Sequence, residues 1–181
     1  MKHVPWLVLS VLMVVSAGGC QPVVRDESSP FYTMPVGTLI VVNEDLPVPE
    51  GTARVIIQKG QLLPYAAYNR YYPHCRFELS DLAVRGQRIR AGEFRVEKAV
   101  REIDYFARLG VPRFVRVSLG AGDDGSSLIM ETVKMQLHAP TQPEVRRMIC
   151  GGAMDFPAYA DPPSIREIRD TLGDLVSVKL P

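Results

Sequence analysis

The sequence predicts a mainly β domain, an antiparallel sandwich or barrel-like fold with one short C-terminal helix. Two observations carry this. Several segments alternate apolar and polar residues with period two, separated by Gly/Pro/Asp turn signals, as half-buried antiparallel strands do. One segment near the C-terminus has helical spacing behind a capping-box pattern.

In chain order, "GTLIVVN" (Gly37–Asn43) is a β-branched apolar run of strand length. The Pro/Gly/acid segment "EDLPVPEGT" breaks it, and "ARVIIQKG" (Ala53–Gly60) is expected to return beside it. "CRFELSDL" sets Phe77 and Leu79 against Glu78 and Ser80. "GEFRVEKAV" sets Phe94 and Val96 against Arg95 and Glu97. "FVRVSL" sets Val115, Val117 and Leu119 against Phe114, Arg116 and Ser118. "METVKMQL" sets Val133, Met135 and Leu137 against Thr132, Lys134 and Gln136. A second helix is entertained over "KAVREIDYFARLG", where Val100, Ile103 and Phe106 fit a helical period. The terminal helix "PPSIREIRDTLGD" has Ser164 as N-cap and Glu167 three residues on. Ile165, Ile168 and Leu172 form its apolar face, and Gly173 supplies the stop. "LVSVKL" closes the chain as a strand.

The N-terminus carries an address. Lys2 and His3 precede the apolar run "VPWLVLSVLMVV". At about a dozen residues it has the length of a signal-peptide core and is short of the roughly 20 that a membrane span needs. Ala17, Gly18 and Gly19 then lead into Cys20. This pattern resembles the lipobox of bacterial lipoproteins, with Ala17 where that family usually has leucine. The resemblance implies removal of residues 1–19, diacylglycerol on the Cys20 thiol, and acylation of the new amine. Ordinary cleavage nearby, with Cys20 as a disulfide partner, is the alternative. Gln21 is not the aspartate that retains enterobacterial lipoproteins in the inner membrane. The implied location is therefore the periplasmic face of the outer membrane, the lipid anchor making the membrane a partner. Residues 20–36, with three prolines and a Ser-rich centre, are expected to form a tether of up to about 50 Å. Residues 37–181 then form a single β-rich periplasmic domain. Beyond the lipobox, "VPEGTARVIIQKG", "YYPHCRFEL", "MIC" before a Gly-rich loop and "IREIRDTLGD" are similar to pieces of uncharacterised proteobacterial lipoproteins. That resemblance implies no activity and no catalytic residues.

Charge and motifs exclude several functions. There are 21 basic and 20 acidic residues, and Lys2 leaves with the signal, so the mature chain is balanced. A nucleic-acid binder would carry a basic excess; "RGQRIR" reads as a solvated turn and strand edge. Cys75 and Cys150 form an even pair in an oxidising compartment and are expected to be bonded. A zinc site from His74, Cys75, His138 and Cys150 is the rival, but no local ligand pair has zinc spacing. A metal sensor or carrier would require both thiols reduced. "GAGDDGSS" reads as a hairpin turn: it lacks the terminal Glu of a calcium loop and the Gly-Lys-Ser/Thr of a phosphate loop. There is no Gly-x-Ser-x-Gly, and any Ser-His-Asp site would have to use His74 or His138. No cofactor is implied.

The segment "YAAYNRYYPHC" gathers four of the seven tyrosines. Tyrosine joins an apolar ring to a polar tip, which suits contact surfaces. Tyr68, Arg70, Tyr71 and Tyr72 are therefore candidates for a surface meeting an envelope protein or glycan, against the plainer role of a loop packed over a sheet edge. The function expected from these features is a non-catalytic binding or accessory module. The alternative is a small periplasmic enzyme acting on peptidoglycan or glycan, which a cleft with two close carboxylates, or His138 bonded to an acid, would favour.

Overall fold

The computed structural model describes residues 26–106 and 128–181. Cys20, the alternating segment "FVRVSL" and the expected turn "GAGDDGSS" lie outside them. Among the described residues the fold is mainly β, as expected. Eight strands form one curled antiparallel half-barrel sheet, and one short helix lies near the C-terminus. The sheet strands are β1 (Leu39–Val42), β3 (Arg54–Gln58), β4 (Gln61–Leu63), β5 (His74–Leu79), β7 (Gly92–Phe106), β8 (Leu128–His138), β9 (Val145–Gly151) and β10 (Val176–Lys179). Their spatial order is β10-β1-β7-β8-β9-β5-β3-β4. Two-residue strands β2 (Leu46–Pro47) and β6 (Arg88–Ile89) pair separately.

Alternation selects the inner face. Phe77, Phe94, Met135 and Met148 are fully buried there, with Ile40, Ile57 and Val176. The rings of Phe77 and Phe94 meet at 6.3 Å between centroids. Helix α1 (Ile165–Leu172) packs Ile165, Ile168 and Leu172 into this core. It contacts β10 at one end of the sheet and β3 and β5 towards the other, so it fills the hollow that the curled sheet leaves. Its capping box forms as expected: the Glu167 N–H donates to Ser164 Oγ, and the Ser164 N–H donates to the Glu167 carboxylate. Gly173 ends it at φ 56°. A side chain there would place its Cβ 2.7 Å from Cα of Gly60, in the two-residue β3–β4 turn. Lys59 and Gly60 of that turn both have positive φ, as a tight hairpin requires.

Three expectations are corrected. First, β3 does not lie beside β1. The intervening segment is too Pro-rich to turn back as a hairpin, and it pairs with 83–89 instead. Val48 donates to Gln87 O, Gly51 to Ala83 O, and Ala83 to Thr52 O. Second, residues 98–106 are strand, not helix: β7 runs to Phe106 in register with β8. The extra residue Glu97 forms a bulge between Val96 and Lys98. Phe94 and Val96 face inward before it, and Ala99, opposite Met135, after it. A one-residue slip reverses the parity of alternation, and the broken period imitates a helix. Third, the expected tether is shorter than 20–36. Arg166 N–H donates to Glu27 O, Arg169 pairs with the Glu27 carboxylate, Arg101 donates to Pro30 O, and Met34 is buried. Residues 27–34 belong to the body.

Cys75 and Cys150 are bonded as expected. They sit directly opposite each other on β5 and β9, both 1% exposed, with Cα atoms 4.0 Å apart. This is just under the usual range for disulfides of about 4.4–6.8 Å, because facing residues of an antiparallel pair are drawn together. The bond consumes the thiolates that a zinc site or metal sensor would need. The bridge spans 75 residues, and chain entropy assigns such a loop about 4 kcal/mol. Replacing both cysteines with alanine should lower unfolding free energy by about that amount in urea titration. A loss below about 1 kcal/mol would show that the bridge adds little to a seam already formed.

Candidate functional site

The tyrosine loop, residues 64–73 between β4 and β5, is held by two turns and one side chain. Ala67 N–H donates to Pro64 O and Tyr72 N–H to Asn69 O, while Asn69 Oδ1 accepts from Tyr71 N–H. Beneath them lies Gln58, 6% exposed on the outer face of β3. Its carboxamide nitrogen lies 2.8 Å from Asn69 O and 3.2 Å from both Tyr72 O and Pro73 O, and its oxygen accepts from Asn69 N–H at 3.0 Å. The sequence reading missed this residue. Its signal was a polar residue at the end of an apolar strand beside a turn, which ordinarily marks a solvated position. Gln58→Leu should cost about 2 kcal/mol, because it strands buried carbonyls and an N–H. Hydrogen exchange at Asn69 and Tyr72 should accelerate with it; unchanged protection there would contradict the bracing role.

The loop divides the predicted residues between two sites. Tyr71 and Tyr72, 58% and 48% exposed, border a cleft of about 640 Å³. Tyr159, 74% exposed, borders it from the segment between β9 and α1, with Pro162 and Pro163. Ser28 and Pro30 of the N-terminal segment complete the rim. Lys59 Nζ lies 4.2 Å from the centroid of the Tyr72 ring. Tyr68 and Arg70 instead border a smaller hollow on the outer face of the sheet. Tyr68 is half-buried against His74, ring to ring at 4.7 Å.

Two glycines seat the far wall. A Cβ on Gly152 would lie 2.4 Å from the carbonyl oxygen of Asp161, and one on Gly151 would lie 2.5 Å from Met130 Sδ and 3.2 Å from His74 Cε1. The wall is joined to β8 by Gly152 N–H donating to Glu131 O, and to the tyrosine loop by Met154 N–H donating to Arg70 O. Both walls are thus anchored in backbone.

Neither feature that would favour an enzyme is well formed. His138 Nδ1 lies 3.7 Å from Glu97 Oε1, beyond hydrogen-bond distance, with both side chains more than half exposed. The hollow around them is bordered by Arg146, Arg147 and Pro143 and has no hydroxyl or thiol in its lining. Two carboxylates, Asp161 and Glu167, border the aromatic cleft, but Glu167 is engaged in the capping box.

A half-buried carboxylate and a buried imidazole mark the outer face. Burial raises the Glu78 carboxyl, yet hydrogen bonds from Arg76 and Arg147 outweigh it and hold the group below its usual range. His74, 2% exposed, is pushed down from 6.5 to about 4. Burial is the main cause; it outweighs the opposing hydrogen bond to the Tyr72 carbonyl, with smaller contributions from Arg76 and Arg70, which lower the value, and Asp104, which raises it. Between these two values the unfolded chain binds a proton that the folded chain refuses. Stability is therefore complete above pH 6.5 and falls as pH drops towards 4, by about 3 kcal/mol in all. A ring-proton NMR titration should place His74 near pH 4; a midpoint near 6.5 would refute the desolvation argument.

Comparison with known proteins yields no match to a family model, a curated protein or a solved structure.

Proposed function

We propose that this protein is a lipid-anchored module of the bacterial envelope. In this reading Cys20 holds it to the periplasmic face of the outer membrane, and it acts by binding an envelope protein or glycan rather than by catalysis. The observation that supports binding is the convergence of Tyr71, Tyr72 and Tyr159 with prolines on one cleft whose walls are pinned by Gln58 and Gly152. Because the backbone that carries these rings is fixed before contact, little main-chain freedom is lost on binding. The rings offer apolar faces for a sugar or side chain and hydroxyls for hydrogen bonds.

The anchor proposed at Cys20 also bears on where the cleft works. Six residues, 21–26, lie between it and Glu27, which is docked on α1. Fully extended, they reach about 25 Å. The rim formed by Ser28 and Pro30 would therefore stay close to the lipid headgroups, and the partner would be one available near the membrane.

Both parts are testable in cells. An alkynyl fatty acid should label the wild-type protein and spare Cys20→Ser; equal labelling would remove the anchor. Pull-down from crosslinked envelopes should recover a partner with wild type and lose most of it with Tyr71→Ala combined with Tyr159→Ala, at unchanged melting temperature. Unchanged recovery with a lowered melting temperature would make the rings packing groups only.

A further inference from the structure

β7 outruns the strand beside it. β1 pairs with it only from Gly92 to Arg95, and the last bonds on that side run from Gly37 N–H to Val96 O and from Val96 N–H to Thr38 O. From Lys98 to Phe106, β7 pairs with β8 alone. Among the described residues no main-chain hydrogen bond reaches this stretch from its other side. The sheet therefore has an open edge in the middle of its strand order, and an open edge is a template for another strand. The outer strands offer less: β4 has three residues, and Arg169 donates to Val178 O of β10.

The bonds made by β8 show which groups face that edge. Ile129 exchanges N–H and C=O bonds with Asp155, and Glu131 O accepts from Gly152 N–H. Both residues thus turn their main-chain groups away from β7. Tyr105 and Ile103, directly opposite them, turn theirs away from β8 in return, and the alternation adds Arg101 and Ala99. The side chains of Arg101, Ile103 and Tyr105 are exposed. None of residues 97–103 borders the aromatic cleft.

Charge selects what this edge can pair with. In antiparallel pairing with a second copy, a two-fold axis at Arg101 or at Glu102 sets that residue against itself, and one at Ile103 sets Glu102 against Asp104. An axis at Ala99 runs the incoming strand into β1. An axis at Val100 sets Lys98 against Glu102 twice, Val100 against Val100 and Ala99 against Arg101, with no like charges opposed. Lys98 is exposed and makes no ion pair among the described residues. Glu102 keeps a 45% exposed side chain beside Lys134. We propose that two copies of this chain join along residues 97–103 of β7, antiparallel about a two-fold axis at Val100. The contact is isologous, so it closes at two copies and does not grow into a filament. The bulge at Glu97 and the charges confine the edge to this register. A seam of this length is a small interface, of the transient class.

The test places single cysteines in the full-length protein and reads linked dimers on non-reducing gels after mild oxidation, wild type setting the background from Cys20. Val100→Cys is expected to link to itself. Facing residues without mutual main-chain bonds lie about 4.5 Å apart between Cα atoms, close enough for a disulfide. Lys98→Cys and Glu102→Cys should link poorly alone and well when mixed. Ile103→Pro removes one edge-facing N–H and leaves pairing with β8 intact. It should lower the Val100→Cys dimer about fivefold at unchanged melting temperature. Strongest self-linking at Arg101→Cys or Glu102→Cys would reveal another register and overturn the proposal. So would absence of linked dimer, or a dimer indifferent to Ile103→Pro. If self-linking is absent and Ile103→Pro instead loses a different protein from the envelope pull-down, the edge belongs to that protein and self-pairing is refuted.

Discussion

The junction between β5 and β9 is the constraint on which the rest of the structure depends. Among the described residues it is the one strand-to-strand seam joining β10, β1, β7, β8 and β9 to β5, β3 and β4. The Cys75–Cys150 bond crosses that seam at directly opposed residues. The register it holds also sets the site. The tyrosine loop ends where β5 begins, and the wall carrying Gly152 and Tyr159 begins where β9 ends. A slip of one residue would turn the paired side chains to the other face and move the two walls of the cleft apart.

The sheet is buried along its concave face and over part of its convex face, for different reasons. Its concave face is closed by α1, whose apolar stripe reaches both flanks of the curl. Part of its convex face is covered by the tyrosine loop and the segment after β9, which is why Ile56, Met130 and Ile149 lie outside the main core yet are buried. Burial there forces the imidazole of His74 to remain neutral and brings three arginines towards an apolar floor. The same loop therefore serves two surfaces: Tyr71 and Tyr72 look into the cleft, and Tyr68 and Arg70 into the hollow.

Irregular segments are held by side-chain amides that substitute for strand neighbours. Gln58 satisfies the tyrosine loop, and Gln142, 3% exposed, does the same for Arg90, accepting from its N–H and donating to its carbonyl. Each carboxamide carries both a donor and an acceptor, so it can stand in for a backbone peptide group where the chain is not a strand. Buried backbone polar groups must find partners, and these two glutamines supply them at the points where the ladder stops.

The elements that depend on local chemistry were legible in the sequence. Alternation in β5 and β8, the capping box at Ser164 and the stop at Gly173 follow from the residues themselves, because side-chain period and orphan N–H groups are local properties. The pairing of Cys75 with Cys150 was legible by count. Strand order was not: nothing in "EDLPVPEGT" reveals that it will pair with residues 83–89, since that choice is made between distant backbones. The bulge at Glu97 hid the true length of β7, because parity beyond it depends on β8. Gln58 and Gly152 were invisible as site residues: their roles exist only once Asn69 and Asp161 have been brought within a few ångströms. The sequence by itself determined which segments alternate, where the helix starts and stops, and that a tyrosine-rich loop exists. The tertiary structure alone decided which tyrosines share a surface, because adjacent residues of a turn point in directions set by what pins the turn from below.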